Sequence, residues 1–296
     1  MPARLRWMRL RPQELALVAI TAVWGSTFLL VHWAMEHSGP WFFVGLRFLV
    51  AGLISVLIFW RSLRGIRWSD IGAGAAIGLM IHLGYGLQTL GLQTIDSSTS
   101  AFITAMYVPL VPLAQWAVFR KRPPALAFVG AGLAFVGLLL IAGPDALSLT
   151  LGFGETATLV STLPIVGEII LISVFAGRVD LGRITVVQLL TAGVLGFLTM
   201  PVANESVPDF SWVWVGAAIG LGAASCLIQL TMNWAQKSVS ATRATIIYAG
   251  EPVWAGIIGR IAGERLPVTA LIGGGLVVLG ILASELKIVR RRDRRE

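Results

Sequence analysis

The longest uncharged apolar runs decide what this chain can fold into. From Phe128 to Ile141 the sequence reads FVGAGLAFVGLLLI, with no charge and no alternation of polar and apolar positions. A strand of a membrane barrel would alternate over about ten residues. A helix crossing the hydrocarbon needs about 20 mostly apolar residues. Ten segments meet that need, at approximately 14–34, 40–60, 71–93, 98–118, 125–142, 155–176, 184–202, 212–233, 241–261 and 268–287. Only 13% of the 296 residues are charged, against about 25% in a soluble domain. The expected fold is an all-α integral membrane protein of ten transmembrane helices with short connections. Its first apolar run is too long for the core of a signal peptide and is read as the first span.

Charge fixes the expected orientation. The net charge of +8 could point to nucleic acid, but the basic residues flank the spans, where anionic lipid headgroups lie. The expected partner is therefore the lipid bilayer, and no nucleic acid. With a cytoplasmic N-terminus, the inner segments hold 19 Lys/Arg and the outer loops only Arg265. The positive-inside rule then places both termini in the cytoplasm of a bacterial inner membrane, which ten crossings satisfy.

Several chemistries are absent. The single cysteine, Cys226, permits no disulfide within one chain and no CxxC metal site. Neither a metal-binding HExxH nor a nucleophile GxSxG occurs. No cofactor, metal or catalytic residue is expected.

The chain repeats itself. A shift of 143 residues gives 13 identities without a gap between Gln93 and Leu139. Pro109 falls on Pro252, Pro124 on Pro267, and Gly130, Gly132 and Gly137 on Gly273, Gly275 and Gly280. A shift of 141 pairs Arg47, Ala51 and Gly52 with Gln188, Ala192 and Gly193. The expected units are residues 1–142 and 143–296, each with five spans, the second carrying the basic tail. Five is odd, so the second unit enters the membrane from the opposite side. Inverted repeats of this kind are typical of secondary transporters, with a site near the midplane where the halves meet. The glycines of spans five and ten fit close helix packing rather than pore lining.

Three stretches carry a family resemblance: Trp24-Gly25-Ser26-Thr27-Phe28, the GLRFLVAG around Arg47, and Glu251-Pro252-Val253 followed by Gly263-Glu264-Arg265-Leu266-Pro267. With these the chain resembles the drug/metabolite transporter superfamily, in particular its ten-helix EamA-type exporters. The resemblance implies a secondary transporter that exports a small polar metabolite, an amino acid or a related compound. Two departures stand out. The first half has Val108 before Pro109 where the second has Glu251, and Lys121 where the second has Glu264. Any coupling residue therefore need not be duplicated. Proton coupling and a homodimer stay open.

Polar residues inside spans mark the candidate site, because an ionisable group at mid-membrane costs about 2.5–3.5 kcal/mol on insertion scales. Glu168 in span six lies outside the family motif and is the first candidate for substrate specificity. Glu251 is read either as a coupling residue or as a structural partner of backbone groups freed by Pro252. Arg47 is read as a gate, a carboxylate ligand, a partner of Glu251 or an anchor for loop carbonyls. His82, Tyr85 and Gln88 share one face of span three, and Gln229 and Asn233 one face of span eight. Tyr107 in span four and Trp24 complete the substrate-binding set; the plain alternative for each is helix packing. Trp41, Trp60, Trp68 and Trp212 are expected in the interfacial belt. Two rival functions remain: a flippase for a lipid-linked substrate, and an integral-membrane enzyme.

Overall fold

The computed structural model describes residues 4–7, 11–142, 152–261, 268–284 and 286–289. Its first half holds the helices α1 (Pro12–Met35), α2 (Pro40–Leu63), α3 (Trp68–Gly91), α4 (Ser97–Thr104), α5 (Tyr107–Phe119) and α6 (Ala125–Ala142). The second holds α7 (Phe153–Phe175), α8 (Leu181–Thr199), α9 (Trp212–Ala235), α10 (Ala241–Tyr248), α11 (Glu251–Ile261) and α12 (Val268–Ser284). Two four-residue strands, β1 (Arg4–Trp7) and β2 (Leu286–Val289), pair antiparallel, Arg4 opposite Val289 and Trp7 opposite Leu286. The membrane body is thus all-helical, and the ribbon is an addition the sequence did not suggest. It sets Arg4–Trp7, which precede α1, beside Leu286–Val289, which follow α12.

Seven helical stretches among the described residues are long and apolar enough to cross a membrane. They are α1, α2, α3, Thr99–Phe119, α7, α8 and α9. The others are shorter. Residues 143–151, where the second expected half opens, the 263–267 motif and most of the basic tail lie outside the described residues.

Two expected spans prove to be broken, each into two helices: α4 with α5, and α10 with α11. Proline explains both breaks. Pro109 and Pro252 cannot donate to the carbonyls four residues back, those of Ala105 and Tyr248. Helix α4 stops at Thr104 and α10 at Tyr248. The Ala105 carbonyl instead takes the Val108 N–H at 2.9 Å, and the Ile247 carbonyl takes that of Gly250 at 3.0 Å. Both breaks fall at corresponding places in the two halves.

Packing follows the same correspondence. α2 lies on α8, and α6 on α12. α3 lies on α7 and α8 as α9 lies on α1 and α2; α5 meets α7 and α10 as α11 meets α1 and α4. Exchanging the halves maps these pairings onto one another. Direction can be read from the closest approaches. A Cβ on Gly137 would lie 2.5 Å from the Gly273 carbonyl oxygen, and one on Gly280 would lie 2.6 Å from that of Gly130. Later residues of α6 thus meet earlier residues of α12, so the two helices run antiparallel. α2 and α8 are also antiparallel: Gly45 meets Gly196, and Gly52 meets Leu190.

These contacts predict a stability pattern. Gly137→Val or Gly280→Val puts a side chain where backbone now lies, and should cost about 1–3 kcal/mol by overpacking. Gly132→Val, on the same helix with nothing within 4 Å, should leave the protein unchanged. Thermal unfolding in detergent compares the three. Equal stability of all three variants would refute the close packing.

The outer surface is apolar, with Leu57, Leu113, Val129, Ile219 and Ile272 exposed, as lipid contact requires. Trp60, Trp68 and Trp212 are exposed as expected, but Trp41 is buried. Its ring lies 5.2 Å from that of His82, inside the bundle rather than in a belt.

Candidate functional site

All ten residues singled out in the sequence are buried. The structure draws most of them into one neighbourhood, where α1, α2 and α3 face α7, α8 and α9.

A hydrogen-bonded chain crosses the second half. Asn233 of α9 donates through Nδ2 to Thr185 Oγ1 at 3.0 Å and to Gln188 Oε1 at 3.1 Å, both on α8. Gln188 Nε2 donates to Gln229 Oε1 at 2.7 Å, and Gln229 Nε2 donates to Glu168 Oε1 at 2.7 Å. Every amide in the chain is turned so that its donor leads on toward Glu168, which ends the chain as an acceptor. Two-sided satisfaction of the amides fixes their orientation, and with it the carboxylate. The second oxygen of Glu168 is buried and has no partner among the described residues.

The first half contributes the opposite charge. Arg47 of α2 donates through Nε to Ser225 Oγ at 2.7 Å. Its guanidinium lies 5.2 Å from the ring centre of Tyr85 and 5.4 Å from that of Phe48, an arrangement that attracts a cation to an aromatic face. Arg47 Nη2 is buried without a hydrogen-bond partner among the described residues. Tyr85 stacks on Trp24 with ring centres 6.5 Å apart, and Trp24 meets Tyr248 edge-on at 5.7 Å.

Glu251 opens α11 directly after the break. Gly25 of the WGSTF stretch packs there: a Cβ at that position would lie 2.7 Å from the Glu251 carbonyl oxygen. That close approach is a physical reason for a glycine beside Trp24. One oxygen of Glu251 and the hydroxyl of Tyr107 are buried without partners among the described residues. Tyr107 packs in the same buried core as Trp24, Tyr85 and Tyr248. Four unpartnered polar atoms therefore belong to this neighbourhood, one each from α2, α5, α7 and α11.

Other expectations are redirected. No Arg47–Glu251 ion pair occurs among the described residues; Arg47 leans toward α9 and α3, while Glu251 lies against α1. His82 and Gln88 are bonded to threonines outside the chain that ends at Glu168. His82 Nε2 bonds Thr199 Oγ1 at 3.0 Å, and Gln88 Nε2 donates to Thr104 Oγ1 at 3.0 Å. Arg243, given no role in the sequence, forms an ion pair with Glu14 at 2.9 Å.

Gln188 and Tyr248 are the residues that sequence reasoning missed. Gln188 was visible only as the neutral counterpart of Arg47, yet it is the middle link of the chain. Tyr248 receives a hydrogen bond from Gln236 Nε2 at 3.3 Å, and Gln236 Oε1 accepts from Ser173 at 2.7 Å. The helix starts repeat at the same shift, α1 to α7 and α2 to α8. That offset of 141 sets Arg47 opposite Gln188 and Glu168 opposite Thr27. Each charge thus occurs in one half only, and the site is electrically polarised between the halves.

The model of the EamA-like transporter family matches residues 12–143 and 152–285. An uncharacterized transporter of Archaeoglobus fulgidus is 27% identical, over 93% of this chain and 86% of the relative. The uncharacterized inner membrane transporter YedA of Escherichia coli K12 is also 27% identical, over 94% and 92%. YoaV of Bacillus subtilis, an uncharacterized transporter, is 23% identical over 94% and 98%. A solved crystal structure superposes with a TM-score of 0.73 at 17% identity, covering 92% of this chain and 96% of that one, and supports the fold alone.

Proposed function

This chain belongs to the EamA-like transporter family, and on that footing we propose that it is a secondary transporter exporting a small zwitterionic metabolite, an amino acid or a close relative. The observation that carries the proposal is the set of buried charged atoms of opposite sign that lack partners among the described residues. Arg47 Nη2 offers a charged donor, while Glu168 and Glu251 each offer a free carboxylate oxygen. A molecule with both a carboxylate and an ammonium group would complete these partners, and charge-assisted hydrogen bonds are the strong ones. Tyr85, Trp24 and Tyr107 would wall the space beside it, and the Gln229–Gln188–Asn233 chain would hold Glu168 in place.

Ten crossings in two inverted halves supply the mechanics. The antiparallel pairings of α2 with α8 and of α6 with α12, and the matching breaks in α4–α5 and α10–α11, support that arrangement. The excess of Lys/Arg on one side supports an inner-membrane protein with both ends in the cytoplasm. Glu251, placed at a helix break with a free oxygen, is the proposed proton-coupling residue.

Counterflow tests the reading. Purified protein in liposomes preloaded with unlabelled amino acids should accumulate the labelled compound transiently and saturably. Absence of counterflow across a panel of zwitterions, with or without a proton gradient, would remove the carrier proposal.

A further inference from the structure

Away from the Glu168 neighbourhood, the two halves are tied together at the two ends of the α2–α8 pair. Near the middle of that pair, small residues bring the backbones close: a Cβ on Gly193 would lie 2.6 Å from the Leu49 nitrogen, and one on Gly52 would lie 3.1 Å from the Leu190 nitrogen. Near each end, a side chain of the second half grips the first half.

At one end the grip is a carboxylate. Glu205, in the connection from α8 to α9, accepts the N–H of Trp41 at 3.1 Å and that of Phe42 at 2.7 Å. These are free donors in the first turn of α2. Gly39 makes room for it, since a Cβ there would overlap the Glu205 side chain. Around the grip, Phe42 packs edge-on against Phe197 and Trp214.

At the other end the grip is a guanidinium. Arg183, in the first turn of α8, donates through Nε to the Ser62 carbonyl at 2.8 Å, near the end of α2. Its Nη1 pairs with Asp70 of α3 at 3.2 Å. The Glu14–Arg243 pair, also between the halves, joins the starts of α1 and α10. Under the 141 shift, Phe42 and Arg183 are the same position. The two ends thus use one site of the repeat, with opposite chemistry. The 24 residues of α2 put the grips roughly 30 Å apart at the helical rise per residue.

We propose that Glu205 and Arg183 are latches on two gates, released one at a time, with the glycine contact between α2 and α8 as the fulcrum. A pair of rods touching near the middle can splay at one end only if the other end stays closed. Release of Glu205 would open the pocket toward its own face, and release of Arg183 together with the Glu14–Arg243 pair would open it toward the opposite face. The inference rests on the carrier reading, because only alternating access gives two gates a purpose.

Accessibility labelling tests it. Ser225→Cys, placed beside Arg47 in a Cys226→Ala background, reports the pocket to a membrane-impermeant maleimide applied to right-side-out or inverted vesicles. Removing two hydrogen bonds to a charged group should shift the opening equilibrium about tenfold or more. Glu205→Ala should therefore label about ten times faster from the Glu205 face and unchanged from the other. The double variant Glu14→Gln with Arg183→Gln should show the reverse. Equal acceleration from both faces, or none, overturns the latches. Should Glu205→Ala not fold, Glu205→Gln, which keeps the size and one acceptor oxygen, carries the same test with a smaller expected ratio. Wild-type counterflow is scored separately: one-sided labelling without counterflow keeps the gates and removes the transport, and counterflow without one-sided labelling does the opposite.

Discussion

Glu168→Gln is expected to slow counterflow of a zwitterion roughly 10- to 100-fold, the loss that follows when a hydrogen bond to a charged group disappears. The substitution is isosteric. The new amide oxygen can still accept from Gln229 Nε2, so the chain through Gln188 to Asn233 and Thr185 stays bonded. What changes is the second atom. An NH2 group replaces the free oxygen at Oε2 and meets an incoming ammonium with a donor. Membrane content of the variant should equal wild type, because helix packing is untouched and a charge has left the bundle. Quantifying protein by immunoblot beside initial counterflow rates separates the two effects. Wild-type rates at equal protein would take Glu168 out of the pocket.

Arg47→Gln should have an effect of similar size but a different selectivity. Glutamine already stands at the corresponding position of the second half, so the fold tolerates the residue there. Its amide can still donate to Ser225, while the charge over Tyr85 and Phe48 is gone. A substrate with a carboxylate should lose about 100-fold in transport, and an amine of the same size without a carboxylate less than about threefold, since specificity is a difference of affinities. The ratio of the two losses is the measurement. Equal losses for both substrates would make Arg47 an anchor of α2 and α9 rather than a substrate ligand. Arg47→Lys separates these further, because a lysine keeps charge but cannot hold Ser225 and a carboxylate with one planar fork.

Long apolar runs were legible because lipid leaves the backbone few choices. The segments near 14–34, 40–60 and 212–233 correspond to α1, α2 and α9 within a few residues. The break at Pro252 was legible in the backbone groups that proline frees, but the matching one at Pro109 was not. Hydropathy reports the solvent a residue meets, and it is blind to whether the helix continues. The repeat was read at shifts of 141 and 143 and so skipped the identical AAIGL at 75–79 and 217–221, which lies at 142. Among site residues, Glu168, Gln229 and Asn233 stood out because each is polar among apolar neighbours. Their mutual bonding depends on three helices meeting, which one sequence does not state. The same limit applies to Asp70–Arg183 and Glu14–Arg243. Each partner sits near a helix start, where a charge reads as an ordinary membrane flank. Arg47 and Glu251 were tied on sign alone, and packing puts them on different neighbours.

The glycine pairs 137–273 and 130–280 have a bearing on ancestry. Each half offers the other the same patch that it receives, which is how two identical subunits meet about a two-fold axis. A single polypeptide equivalent to one half and carrying that patch could have paired antiparallel with its own copy before any fusion. Fusion then freed each copy to drift, so that one could acquire an arginine and the other a glutamate, a difference that no pair of identical chains can hold.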